Sequence, residues 1–447
     1  MTSSVLPALD AGPAGEPRLV ARTRLVGADE LPAPADLLAQ LPHGRRPEDL
    51  CAWVRDGQGV VGWGIAGRIT TWGRGRFADA QAWWRAFVDR LDVDDEVGVF
   101  GSGPLAFGSF SYSAASDAGS CLVVPRVVLG HRDGRWWRTT LSPADSADPG
   151  DPGLWQGHVD PPLDPPLDHG EVAFADGALS GPAWREVVAQ AVERIGAGTL
   201  EKVVLARDLL AIAERPIDPR LLLTRLASGY PRTWVFGVDG MVGATPEMLV
   251  RLERGLVTSR VLAGTIRRSG DDEHDLALAG SLARSSKDLE EHEYAVRSVA
   301  ESLARHCTSM SVPESPFVLH LPNVMHLATD VAGRTRNGDT SVDLAASLHP
   351  SAAVCGTPTS TADRLIAELE GMDRGRYAGP VGWMDASGDG EWAIALRSGA
   401  MAADDPRRMR IFAGCGIVAG SDPDAELAES EAKLVPMRDA LTGLLGA

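Results

Sequence analysis

The sequence predicts an α+β fold with mainly antiparallel sheet, and three observations carry that reading. Strand-like and helix-like stretches come in groups rather than in strict alternation. Short β runs are joined through glycine-containing turns, with Asp133-Gly134 in "LVVPRVVLGHRDGRWWRT" a hairpin signal. No P-loop or strand–GxGxxG–helix unit is present, and Gly196-Ala197-Gly198 follows a helix instead of opening one.

Composition narrows the function classes. With 447 residues, 44% hydrophobic and 23% charged, the chain reads as a soluble globular protein able to bury a large core. A net charge of −18 argues against nucleic acid, so a small anion would have to be met locally by Arg, Lys or a metal ion. No apolar stretch reaches the ~20 residues of a membrane helix, and the N-terminus lacks a signal pattern, so no membrane partner is expected. Cys51, Cys121, Cys307, Cys355 and Cys415 are scattered without CxxC spacing, which points to reduced thiols in the cytoplasm and away from zinc.

In chain order, residues 1–17 are rich in Ala, Gly, Ser and Pro and read as disordered. From Arg18 to about Thr140 the reading is short strands, interrupted by a helix around Asp79–Leu91 with Trp83, Trp84, Phe87 and Leu91 inward. Residues 141–169 are dense in Pro, Asp and Gly and read as a long surface connection. Ser180 starts a helix with Trp184, Val187, Val188, Ala191, Val192 and Ile195 on one face, stopped by Gly196. Strands "KVVLAR", "TWVFGVDG", "GATPEMLVRLERGLVTSR" and "VLAGTIRR" follow, then a helical tract over about Asp271–Cys307. After "HLATDVAGR" a helix is capped by Ser360 and Asp363 and ended by Gly371. Strands around "GPVGWMD", "EWAIALRSGAM" and "RIFAGCGIVAG" lead to a last helix from Ser421 to about Leu445. Ser421 with Asp424 reads as its capping box, Pro436 as a kink, and Leu427, Leu434, Leu441 and Leu445 as its buried stripe.

Several residues can carry chemistry. Glu426, Glu429 and Lys433 share a second face of the last helix, which is either a solvated surface or a holder for a divalent cation and its bound anion. Glu291, in "SSKDLEEHEYAV", lies off the apolar stripe of Leu289, Val296, Val299 and Leu303, and paired with Glu426 or Glu429 it would supply hard oxygen ligands for Mg²⁺. Lys202 opens an apolar strand; exposed, it is a strand end, and desolvated, a general base. Glu247, after Pro246, is either a turn residue or, in an apolar pocket, a carboxyl that keeps its proton and serves as general acid. Arg397 offers a planar fork for a carboxylate, and Gly264 and Gly414 allow close backbone approach to an anion.

Taken in order, "EKVVLAR … GATPEMLVR … LAGTIRR … SSKDLEEHEYAV … MHLATDVAGR … HPSAAVCGTPTSTADRLIAELEGMDRGRYAGPVGWMD … EWAIALRSGAM … RIFAGCGIVAGSDPDAELAESEAKL" closely resembles the chorismate-utilising enzymes. The resemblance spans about Gly181 to the C-terminus, with "PLAFGSFSY" and "VPRVVLG" fitting more loosely before it. It implies one large α+β domain over 18–447, with antiparallel sheets face to face, helices outside and the site in a cleft, so that 141–169 is an excursion. Lysine at 202 and the run "YAGPVGWMDASGDGEWAIALRS" resemble the isochorismate synthases of menaquinone and siderophore pathways.

The resemblance assigns roles position by position. Lys202 would deprotonate water adding at C2 of chorismate, and Glu247 would protonate the leaving C4 hydroxyl. Glu291 and Glu429 would ligate Mg²⁺, with Glu426 close by. Gly264, Thr265 and Lys433 would touch the ring carboxylate, Arg397 and Gly414 the enolpyruvyl carboxylate, and His326 would line the pocket. A monomer is expected on resemblance. Salicylate synthase, which goes on to eliminate pyruvate, is the nearest alternative, ahead of an ammonia-using anthranilate-type enzyme and a non-catalytic chorismate binder.

Overall fold

A computed structural model describes residues 18–27, 30–31, 36–43, 46–144, 165–320, 324–336 and 338–444, apart from the side chains of Lys287 and Glu291. The segment 1–17, most of the 141–169 connection and Leu445 lie outside the described residues.

Two sheets organise the chain. The larger runs Val172–Asp176, Lys202–Ala213, Arg408–Ile417, Ser398–Met401, Met241–Thr245, Trp234–Val238, Leu50–Arg55, Gln58–Trp63, Val127–Arg132, Arg135–Pro143, Leu19–Val26, Leu91–Asp95. The smaller runs Cys307–Ser311, Val324–Thr335, Leu256–Arg267, Met248–Glu253, Gly390–Ile394, Pro380–Asp385, Leu105–Ser109, Ser120–Val124, Gly67–Thr71. Described neighbours pair antiparallel, except Leu19–Val26 with Leu91–Asp95. The α+β class with mainly antiparallel sheet is thus what the chain adopts.

The layering follows from period-two alternation. In "LCAWV", Leu50, Ala52 and Val54 join a core with Leu222, Leu226, Leu434, Met437 and Leu441 of two helices. Cys51 and Trp53 point the other way, against Phe107, Val123, Trp383 and Ala393 of the smaller sheet. A strand buried on both faces reads as an unbroken apolar run, and that is what this segment shows. Helices therefore lie outside and the sheets meet face to face.

Several element boundaries differ from expectation. The first helix is Arg76–Val88, and Leu91 begins a strand instead of ending the helix. The 271–307 tract is two helices, Asp272–Leu282 and Ser286–Ala304, because Ser285 caps the second by accepting from Asp288 N–H. Cys307 already belongs to a strand. Ser180 caps Gly181–Gly196 as expected, but the left-handed residue beyond it is Gly198 (φ +75°), not Gly196. The helix expected from Ser360 and Asp363 is Thr359–Leu369 and has no side-chain cap.

The last helix is Pro423–Thr442, running unbroken through Pro436. Its cap is Asp422, whose carboxylate accepts from Asp424 and Ala425 N–H, so the Ser421–Asp424 box does not form. A carboxylate there also meets the positive end of the helix dipole. Ser421 instead gives its hydroxyl proton to Glu426 Oε1 at 2.7 Å. At the far end, the Ala440 and Leu441 carbonyls accept from Arg225 Nη1 (2.8 and 3.3 Å), and Leu441 also from His169 Nε2 (2.6 Å). Both ends of the helix that carries Glu426, Glu429 and Lys433 are thereby fixed.

Candidate active site

A cavity of about 240 Å³ opens where the two sheets part. Residues 202, 204 and 206 fall on one face of their strand, and Lys202, Val204 and Ala206 line the cavity. The neighbouring strand adds Phe412, Gly414 and Gly416, and the last helix adds Glu426, Glu429 and Lys433. From the smaller sheet come Leu262, Ala263, Gly264, Thr265 and His326. Of the residues singled out in the sequence, only Glu291 cannot be followed here, since its side chain lies outside the described set. The other ten line this cavity together.

Glu247 and Arg397 sit on crossovers. The chain leaves the larger sheet at Thr245 and enters the smaller at Met248; it returns between Ile394 and Ser398. Arg397 has φ +48°. Six described non-glycine residues have positive φ, and four of them (Asp56, Asp133, Asp239, Arg254) precede glycine in hairpin loops. The remaining two, Ala378 and Arg397, both line the cavity, which places the unusual backbone at the site.

Glycine is required at two positions. Gly264 has φ +74° at a bulge in the pairing of its strand, and a Cβ there would come 3.1 Å from Asp288 Cβ. At Gly414 a Cβ would meet Leu205 O at 3.0 Å and Tyr377 Oη at 3.4 Å.

The electrostatics separate the groups by role. Glu247 is 8% exposed, and burial pushes its carboxyl up to about 7 against the pull of Lys202, Arg397 and Lys433. Burial acts on Glu429 in the same direction, but Lys433, Arg397 and Lys202 outweigh it and hold the carboxyl below its ordinary value. Burial disfavours the charged Lys433, yet Cys415 and Glu429 raise it, and its ammonium donates to Glu429 Oε1 (2.5 Å) and Gly414 O (3.0 Å). Burial and the charges of Arg397 and Lys433 push His326 down to about 3, so it is a neutral imidazole. Its Nδ1 shares a hydrogen bond with Thr265 Oγ1 at 2.9 Å.

A cation could be held on the last helix. Donor atoms of Glu426, Glu429 and Cys415 lie within 4.8 Å of one another. Burial pushes the Cys415 thiol up to about 12, so it keeps its proton and leaves two carboxylates as hard donors. Two carboxylates beside a cavity suit Mg²⁺, which keeps other positions for water and substrate oxygens.

Sequence reading missed Tyr377, Arg374 and Asp288, which also line the cavity. Tyr377 stacks on Phe412 with ring centroids 5.0 Å apart. It sits in a turn, where no periodicity flags it. Arg374 lies beyond the helix that ends at Leu369, past the left-handed Gly371, so no helical spacing flags its pairing with Glu370.

Fold and site together describe an enzyme-like cleft between antiparallel sheets, with a protonatable buried acid, several cations and two carboxylates around one cavity. The chain belongs to the family described as "Chorismate binding enzyme", whose sequence profile matches residues 21–442. Isochorismate synthase DhbC of Bacillus subtilis is 38% identical over 270 residues, covering 58% of this chain and 67% of that protein. Isochorismate synthase EntC of Escherichia coli K12 is 36% identical over 259 residues, covering 57% of this chain and 66% of that protein. The structure of MenF, the menaquinone-specific isochorismate synthase of Escherichia coli, superposes with a TM-score of 0.79 over 95% of each chain at 22% identity, a likeness of fold.

Proposed function

We propose that the chain is a Mg²⁺-dependent isochorismate synthase. The observation that carries this reading is that Lys202 and Glu247 open on one cavity, with the Glu247 carboxyl titrating at about 7. Lys202 takes a proton from the water that adds at C2 of chorismate. Glu247 gives a proton to the hydroxyl that leaves C4. One water enters, one departs, and the ring double bonds shift, so the substrate is isomerised with no other reactant.

Arg397 receives the enolpyruvyl carboxylate with its planar fork, beside Gly414. Gly264, Thr265 and Lys433 receive the ring carboxylate, and the neutral His326 ring closes that wall. Glu429 and Glu426 would hold the metal, with Glu291 the further ligand that the resemblance implies; when bound, Mg²⁺ would offset the charge of the dianion, as a protein of net charge −18 requires.

The test is product analysis after incubation with chorismate and Mg²⁺. Isochorismate without pyruvate is expected. Pyruvate with salicylate would make it a salicylate synthase, anthranilate formed on adding ammonium would make it an anthranilate-type enzyme, and binding without consumption would make it a binder.

A further inference from the structure

The strand that carries Lys202 has an incomplete outer edge. Its inner edge pairs with Arg408–Ile417 along residues 203–212. Its outer edge pairs with Gly356–Thr357 at residues 202–203 and with Val172–Asp176 at residues 209–213. Among the described residues no strand covers the gap between them, at the level of the cavity. Even-numbered residues there turn their backbone groups outward, and buried groups of this kind need partners.

Two of the partners come from one buried ion pair. Glu370 (1% exposed) accepts Ala206 N–H at 2.7 Å, and Arg374 (3% exposed) donates through Nη2 to Val204 O at 2.7 Å. The two are bonded to each other through Arg374 Nε and Nη2, at 2.9 and 2.5 Å. Arg374 Nη1 also donates to Val354 O at 2.8 Å, in the loop leading to Gly356–Thr357, which pairs with Lys202. Three further bonds lie along the edge: Val204 N–H to Cys355 O at 2.8 Å, Trp184 Nε1 to Ala206 O at 3.3 Å, and Gly177 N–H to Asp208 O at 3.1 Å.

We infer that Glu370 and Arg374 are positioning residues for Lys202, acting as a side-chain substitute for the missing strand. One carboxylate and one guanidinium supply an acceptor and a donor in register with Val204 and Ala206. The same guanidinium anchors the loop that flanks Lys202, so strand and loop are fixed to a single point. Although Arg374 borders the cavity, these bonds commit four of its five N–H groups, which leaves it a scaffold and not a substrate ligand. The inference rests on the assignment of Lys202 as base.

The test is steady-state kinetics on chorismate with Glu370→Gln and Arg374→Lys, beside thermal melts of each. Glu370→Gln keeps an acceptor for Ala206 N–H but loses the charge that holds Arg374; Arg374→Lys keeps the charge but loses the fork. A displaced base lowers kcat about tenfold or more while KM for chorismate stays within about threefold. Should neither fold, Trp184→Phe removes only the partner of the Ala206 carbonyl and gives the same split at smaller amplitude. A folded variant that melts earlier but keeps wild-type kcat overturns the inference, as does a loss confined to KM. Wild-type protein that forms no isochorismate defeats the function itself, an outcome visible before any variant is made.

Discussion

Glu247 and Arg397 each occupy a crossover between the sheets, and each of these two crossovers is bonded to a strand end of the other. Ile394 N–H donates to Glu247 O at 3.1 Å, and Ala244 N–H donates to Arg397 O at 3.1 Å. The acid and the cation therefore share one backbone frame, fixed at the point where the sheets separate. Preorganisation of this kind lets a proton donor act without rearrangement at the moment of reaction.

The first prediction concerns the two proposed proton carriers. Glu247→Gln and Lys202→Ala fold normally and lose ~10²–10⁴ of turnover each. In the wild type, kcat declines as pH rises through about 7, because the acid must hold its proton. That limb is absent from the residual activity of Glu247→Gln. Unchanged turnover in either variant removes the role assigned to that residue.

A second prediction follows from the same carboxyl by linkage. Its folded value lies above the ordinary glutamate range, so the folded state holds the proton more tightly than the unfolded one. The stability it contributes is full below the ordinary glutamate range and is lost as pH climbs through about 7. Melting curves of wild type and Glu247→Gln should show the wild type losing ground to the variant between about pH 4 and about pH 8. A constant difference across that span contradicts the burial of an ionisable acid.

Gly264→Ala tests the backbone at the wall proposed to receive the ring carboxylate. Left-handed φ costs an alanine about 1–2 kcal/mol, and the new methyl would press on Asp288 Cβ at 3.1 Å. A lower melting temperature and a raised KM for chorismate are expected. Wild-type KM in a stable Gly264→Ala protein separates this bulge from substrate binding.

Much of this was legible in the sequence because it lies where local pattern and chemistry coincide. Lys202, Glu247 and Arg397 stand at strand ends that apolar runs delimit, and Glu426, Glu429 and Lys433 share a helix face by spacing alone. Long-range pairing was not legible: nothing near Thr245 or Ile394 announces that the chain changes sheets there. Helix starts failed where two polar residues compete. Asp422 displaced Ser421 as cap because its carboxylate reaches two N–H groups, and Ser285 split one apparent helix into two. Tyr377 and the Glu370–Arg374 pair came to light only through packing, since their partners are far away in the chain.

Metal removal gives a fourth prediction. EDTA silences the enzyme and Mg²⁺ restores it, and Glu429→Gln raises the Mg²⁺ needed for half-maximal activity about tenfold or more. Activity in thoroughly metal-free protein overturns the cation site on the last helix.

The central claim is that a new hydroxyl arrives from water at C2 while the old one departs from C4. Turnover of chorismate in water labelled with heavy oxygen tests it directly, by mass spectrometry of the isochorismate formed. Label in the C2 hydroxyl of the product is the predicted result; unlabelled isochorismate, with the substrate's own hydroxyl carried across the ring, would contradict it.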